Sequence, residues 1–99
     1  VSQPESRLQR RIRKAVQRQF GGYWWKVHGG PFTPAGIPDL AGVVAGRAVF
    51  LEVKRPGEEA SLVQRKRMRD LERAGAIVAV VHSVAEAIDA MTPLMFEDE

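Results

Sequence analysis

Ninety-nine residues, 44% apolar and 27% charged with no cysteine, fit one ordinary globular domain with room for a single modest core. A disulfide framework and a thiolate zinc site are excluded, and a reducing compartment is expected. The longest apolar run, Ala76 to Val81, is far short of the ~20 residues of a membrane span. The arginine-rich start has no apolar h-region, so no secretory signal is expected, and a first residue of Val is what a trimmed or recloned chain would show. Charge is unevenly placed. Residues 1–73 hold all fifteen bases against seven acids, a net +8, whereas residues 74–99 carry five acids and no Lys or Arg. Such asymmetry points either to a polyanionic partner or to a plain solvated surface.

In chain order, Ser2-Gln3-Pro4-Glu5 has the chemistry of a helix start: an N-cap serine, a first-turn proline and an acid against the dipole. Leu8, Ile12, Val16 and Phe20 then recur at helical spacing, predicting a helix over 4–19 whose other faces carry Arg7, Arg10, Arg11, Arg13, Lys14 and Arg18. Residues 23–27 are aromatic and β-branched and predict a strand, with Trp24 and Trp25 on opposite sides. The loop 28–38 holds three Gly and three Pro. Strands over 39–44 and 47–54 follow, joined by a hairpin turn at Ala45-Gly46. Ser61 caps a helix over 61–73, Gly75 ends it, and the apolar run 76–82 predicts a strand buried on both faces. A last helix over 84–91 is capped by Ser83, and the acidic tail 93–99 is expected to fray. The expected fold is a single α/β domain of order α-β-β-β-α-β-α, a mixed central sheet flanked by helices.

Polar residues then occupy positions where apolar ones belong. Alternation in Val49-Phe50-Leu51-Glu52-Val53-Lys54 puts Glu52 and Lys54 on one face of a central strand, where charge is costly unless paired or bound to a metal. A tight turn at 45–47 pairs residues whose numbers sum to about 91–93, which sets Asp39 opposite residue 52, 53 or 54. Two such carboxylates are close enough to share a divalent cation, with a lysine beside them. Glu5 lies roughly 20° from Ile12 on the helical wheel, and Gln64 roughly 20° from Leu71, so both sit on inward stripes. Singly each is most simply a boundary residue or a surface ion pair; together they point into one core.

Pro38-Asp39, twelve residues, then Glu52-Val53-Lys54 resembles the PD-(D/E)xK nuclease signature. Glu5-x-x-Leu8-Gln9-x-x-Ile12, Gly36-Ile37-Pro38-Asp39-Leu40, Ser61-x-x-Gln64 and Gly75-Ala76-x-Val78 extend the likeness over about residues 5–86. Their order and spacing are similar to the VRR-NUC branch of that superfamily. The Thr33-Pro34-Ala35 loop is less typical of it. The resemblance implies a restriction-endonuclease-like core. It also implies Mg²⁺ or Mn²⁺ held by Asp39, Glu52 and the Val53 carbonyl, with Glu5 completing the site or holding a second ion. Lys54 would orient or deprotonate the attacking water, and Gln64 would orient Lys54 or the water network. Arg7, Arg11, Lys14, Arg55, Arg65, Lys66 and Arg69, with His28 at low weight, would contact DNA phosphates.

The resulting expectation is a structure-selective endodeoxyribonuclease that cuts branched DNA, a four-way (Holliday) junction or a flap, as in DNA repair. A homodimer is expected, because symmetric cutting of two strands needs two active sites. A phage or bacterial host cytoplasm is the expected location. The competing readings are a non-catalytic DNA-binding module and a restriction-like nuclease cutting ordinary duplex.

Overall fold

The computed structural model describes residues 5–96, with side chains to residue 94, so the Ser2 cap and the end of the acidic tail lie outside the described residues. Helix α1 (Glu5–Phe20) is followed by strands β1 (Tyr23–Lys26), β2 (Leu40–Val44) and β3 (Arg47–Val53). Helix α2 (Leu62–Arg73), strand β4 (Ile77–Val81), helix α3 (Val84–Met91) and a 3₁₀ turn, Thr92–Phe96, complete the order. The α-β-β-β-α-β-α sequence of elements is the one expected, with boundaries moved by a residue. Instead of fraying from Pro93, the chain continues through the 3₁₀ turn, and Leu94 packs against the core.

The sheet runs β1-β2-β3-β4, antiparallel except for the parallel β3–β4 pair that the α2 crossover creates. The β2–β3 hairpin turns through Ala45 (φ 52°) and Gly46 (φ 79°), both left-handed as a two-residue type I′ turn requires. Its register, Leu40 opposite Leu51, carries forward to set Asp39 beside Glu52. At Gly42 the side chain of Trp24 lies against the backbone, and a Cβ there would meet the indole at 2.5 Å.

One face of the sheet is covered by α1 and α3. Ile12, Val16, Val49, Leu51, Val53, Ala87 and Met91 are sealed from solvent there, and Trp24 packs beside them. The other face is covered only in part, by α2 and the 28–38 loop, which is tied to α2 by a hydrogen bond from Arg67 Nε to the Ala35 carbonyl. Trp25 and Tyr23 project onto that thinner side, 43% and 74% exposed, with 6.0 Å between their ring centroids. Strand β4 corrects the sequence-based expectation. It is an edge strand, and Ile77 to Val80 are only half-buried because, among the described residues, no further strand covers its outer side.

Candidate active site

The site forms at the C-terminal end of β3, where the two carboxylates arrive from adjacent strands. Pro38 is buried and delivers the chain to Asp39, at the foot of β2. There the backbone ladder is finished by a side chain: the Val53 N–H donates to Asp39 Oδ2 at 3.0 Å. The Asp39 carbonyl accepts from Val27 N–H at 2.8 Å, which fixes the residue from the β1 side as well. Asp39 is therefore held rigidly by backbone, as a ligand-bearing acid should be.

Glu52 is 2% exposed, and among the described residues only one of its oxygens is served. Oε2 accepts from the Gln64 side-chain amide at 2.9 Å and lies 3.5 Å from Lys54 Nζ. Oε1 is buried with no hydrogen-bond partner among the described residues. Burial, and then the neighbouring Asp39 charge, push the Glu52 carboxyl up to about 7 against the opposing pull of Lys54. Asp39 is raised too, by burial, with the Val53 N–H and Lys54 opposing. A buried acid pair facing inward with one oxygen unserved is a poor arrangement for the protein alone and a good one for a hard cation. The donor set fits Mg²⁺ or Mn²⁺.

Gln64 is oriented by its own helix end. Its side-chain carbonyl accepts from the Ser61 N–H at 2.8 Å while the Ser61 hydroxyl accepts from the Gln64 N–H, a complete capping box. The amide is thereby aimed at Glu52, where the resemblance implied Lys54 or a water network. A local capping rule thus becomes a strut for the buried acid.

Glu5 does not join Asp39 and Glu52 in a closed cage: among the described residues no group of three His, Asp or Glu side chains gathers for a metal. It is the first described residue of α1 and half-buried, and with Lys54, Arg55, Glu58 and Glu59 it lines an open hollow of about 620 Å³. Its charge still reaches Glu52 and contributes to the raised pKa.

The expected phosphate contacts do not form one surface. Arg7, Arg11 and Lys14 are exposed on α1, and Arg65, Lys66 and Arg69 are exposed on α2, on opposite sides of the sheet. Arg55 binds Glu58 at 2.9 Å, Arg65 reaches Glu59 at 3.3 Å and Lys66 reaches Asp70 at 3.3 Å. His28 is exposed in its loop, with its carbonyl accepting from the Thr33 hydroxyl.

Two polar residues near this end were given no role from sequence. Gln9, one turn after Glu5 on the same helical face, is 6% exposed with Oε1 unpartnered among the described residues. His82 bridges the end of β4 to the 54–60 loop. The helical spacing of Glu5 and Gln9 could have drawn attention to the first; nothing local in the sequence marks the second.

No protein-family model and no curated protein matches the chain. Solved structures do. A protein described as "VRR_NUC domain protein" superposes with a TM-score of 0.75 at 21% identity, over 93% of this chain and 88% of its own. A second, "VRR_NUC domain", gives 0.63 at 24% identity, over 90% and 95%. With the same element order and a match over nearly the whole length of both partners, the chain has the fold of a VRR-NUC domain.

Proposed function

We propose that the protein is a divalent-metal-dependent endodeoxyribonuclease acting on branched DNA. The observation that carries this reading is the buried Asp39–Glu52 pair beside Lys54, with Glu52 Oε1 unserved, on a fold shared with VRR-NUC domains. Asp39, Glu52 and the Val53 carbonyl would hold Mg²⁺ or Mn²⁺, with Glu5 adding its negative charge from across the hollow. When bound, the ion supplies charge neutralisation at the phosphate and a water activated near neutral pH.

The chain's own residues do the rest. Val53 N–H and the Gln64 amide fix the two carboxylates, so little reorganisation is needed when the phosphate arrives. The Lys54 ammonium, 3.5 Å from Glu52, offsets the negative charge that grows on the phosphorus oxygens. Hydrolysis adds water across one P–O bond, the hydroxyl going to phosphorus and the proton to the departing sugar oxygen. Lys54 Nζ would hold or relay a proton at the attacking water.

Branched rather than plain duplex DNA is favoured by the division of basic residues between the α1 and α2 sides, which suits two arms diverging from one site. With a radius of gyration of 13.0 Å, one copy spans little more than one turn of duplex, ~34 Å. Paired cuts would therefore take two copies, as a homodimer. The test is nicking of labelled four-way junctions, flaps and linear duplex of equal length with Mg²⁺ or Mn²⁺, alongside solution mass. Preferential cutting of branched substrates, lost in EDTA and in Lys54→Ala, is expected. Binding without any product would leave a DNA-binding module, and equal cutting of linear duplex a restriction-like enzyme.

A further inference from the structure

The ring of His82 stands between two acceptors. Its Nδ1 lies 2.9 Å from Glu86 Oε1, and its Nε2 lies 2.8 Å from the Glu58 carbonyl oxygen. A carbonyl oxygen only accepts, and an ionised carboxylate only accepts, so both hydrogen bonds exist together only when both ring nitrogens carry a proton. The neutral ring must give up one of them. The His82 N–H also donates to Glu86 Oε1 at 2.9 Å, so Glu86 is held in place on the first turn of α3.

What the ring grips is the loop at the mouth of the catalytic hollow. Glu58 closes a turn back onto Arg55: its N–H donates to the Arg55 carbonyl, and its carboxylate accepts from the Arg55 N–H and guanidinium. Arg55 and Glu58 both line the hollow with Lys54. Lys54 itself is secured separately, its N–H donating to the Val81 carbonyl at 3.0 Å. The groups facing His82 are Glu86 from α3, Glu58 and Glu59 from the loop, and Arg65 of α2 across a second hollow of about 310 Å³. Arg65 is itself occupied by Glu59 and the Ala60 carbonyl.

Resting on the nuclease reading above, we infer that His82 is a positioning residue: its doubly protonated ring clamps the 54–60 loop to the β4–α3 junction and so holds Arg55 where a DNA phosphate enters. When the ring loses one proton the other stays on Nδ1, on the stronger bond to the Glu86 carboxylate; the Glu58 carbonyl is released with its loop, and DNA is then engaged less tightly. Consistent with this, the Glu86 and Glu58 contacts raise the His82 pKa above its ordinary 6.5, so the clamp is closed at low pH and opens as pH rises through the shifted value.

The test joins NMR titration of the His82 ring to hydrogen exchange of the 55–60 amides, corrected for intrinsic exchange, in the full chain without DNA or divalent ion. The ring should titrate above 6.5, and loop protection should fall about tenfold through the same midpoint. His82→Phe should lack that protection at every pH while the β3 and β4 amides stay protected. His82→Gln, able to donate to the Glu58 carbonyl but not to titrate, should keep it at every pH. In cleavage assays at one pH below the midpoint, His82→Phe should raise the KM for DNA several-fold over wild type, with kcat little changed because Lys54 is anchored independently.

Identical loop exchange in wild type and His82→Phe would overturn the inference. Should His82→Phe not fold, Glu86→Gln must lower the ring midpoint and move the loop midpoint with it; a loop that stays put also overturns it. If the loop follows the ring in a wild-type protein that cuts no DNA, the clamp stands and the nuclease reading falls.

Discussion

The two faces of β3 are built from alternate residues of one strand, and they obey opposite rules. Val49, Leu51 and Val53 point toward α1 and α3, are 0% exposed, and have their needs met by packing alone. On the reverse, Phe50 is half-buried, Glu52 is buried, and Lys54 follows one residue past the strand's end. There the fold buries an acid whose carboxyl is pushed up to about 7 and, among the described residues, leaves one of its oxygens without a partner. A strand spends its packing on one face and its chemistry on the other, and the first is what makes the second tolerable.

That contrast can be broken from either side. The largest effect is expected on the chemical face. Glu52→Gln or Lys54→Ala should lower the rate of branched-DNA nicking by roughly 10²–10⁴-fold, measured at saturating Mn²⁺, with the fold intact by circular dichroism. A variant of either kind that cuts at the wild-type rate would remove the residue from the mechanism.

The packing face should respond in the opposite currency. Leu51→Ala, one residue away, removes a sealed side chain between α1 and the sheet and should cost about 2–5 kcal/mol in denaturant unfolding. Its residual activity, per folded molecule, should remain near wild type. If activity vanished in the folded fraction, the separation between the two faces would be too simple.

A pH series sharpens the comparison further. Because the folded Glu52 carboxyl titrates near 7 instead of its ordinary 4.5, the folded state binds more protons than the unfolded chain between those values. In EDTA, stability should therefore fall as pH rises from 4.5 to 7, by at most about 3 kcal/mol. Glu52→Gln should flatten that window, and divalent ions should restore the wild-type loss at pH 7.5. His82 works in the same direction but higher: its contribution is complete below 6.5 and disappears as pH rises through its raised value. In Glu52→Gln two slopes should survive, one above pH 3.8 from the raised Asp39 carboxyl and one in that upper range from His82. Thermal unfolding at fixed ionic strength measures both.

The smallest effect belongs to neither face. Ala45 holds a left-handed conformation, φ 52°, in the β2–β3 turn that sets Asp39 against Glu52. Ala45→Gly should stabilise the hairpin by about 1 kcal/mol without altering cleavage, as seen in the unfolding midpoint.

Much of this was legible in the sequence because it follows from short-range periodicity. Alternation in residues 49–54 separated Glu52 and Lys54 from the core residues, and the turn narrowed Asp39's partner to residue 52, 53 or 54, of which the structure selects 52. Ser61 announced a capped helix and Gln64 an inward-facing polar residue, yet neither foretold the hydrogen bond from Gln64 to Glu52, which depends on how α2 lies across the sheet. The apolar run of β4 suggested burial on both faces; its position at the sheet's edge left it half-buried, a fact of strand order that no local pattern encodes.

By itself, then, the sequence determined the element order, the two faces of β3 and the approach of Asp39 to within a residue or two of Glu52, since steric alternation and turn geometry act over a few residues. Only the tertiary structure decided that Glu52 Oε1 is unserved, that Glu5 stands apart from the acid pair, that the basic residues divide between two sides, and that His82 grips the loop at Glu58. Each depends on side chains from distant segments meeting in three dimensions. Their distances are set by the packing of whole helices on the sheet, and spacing along the chain does not determine them.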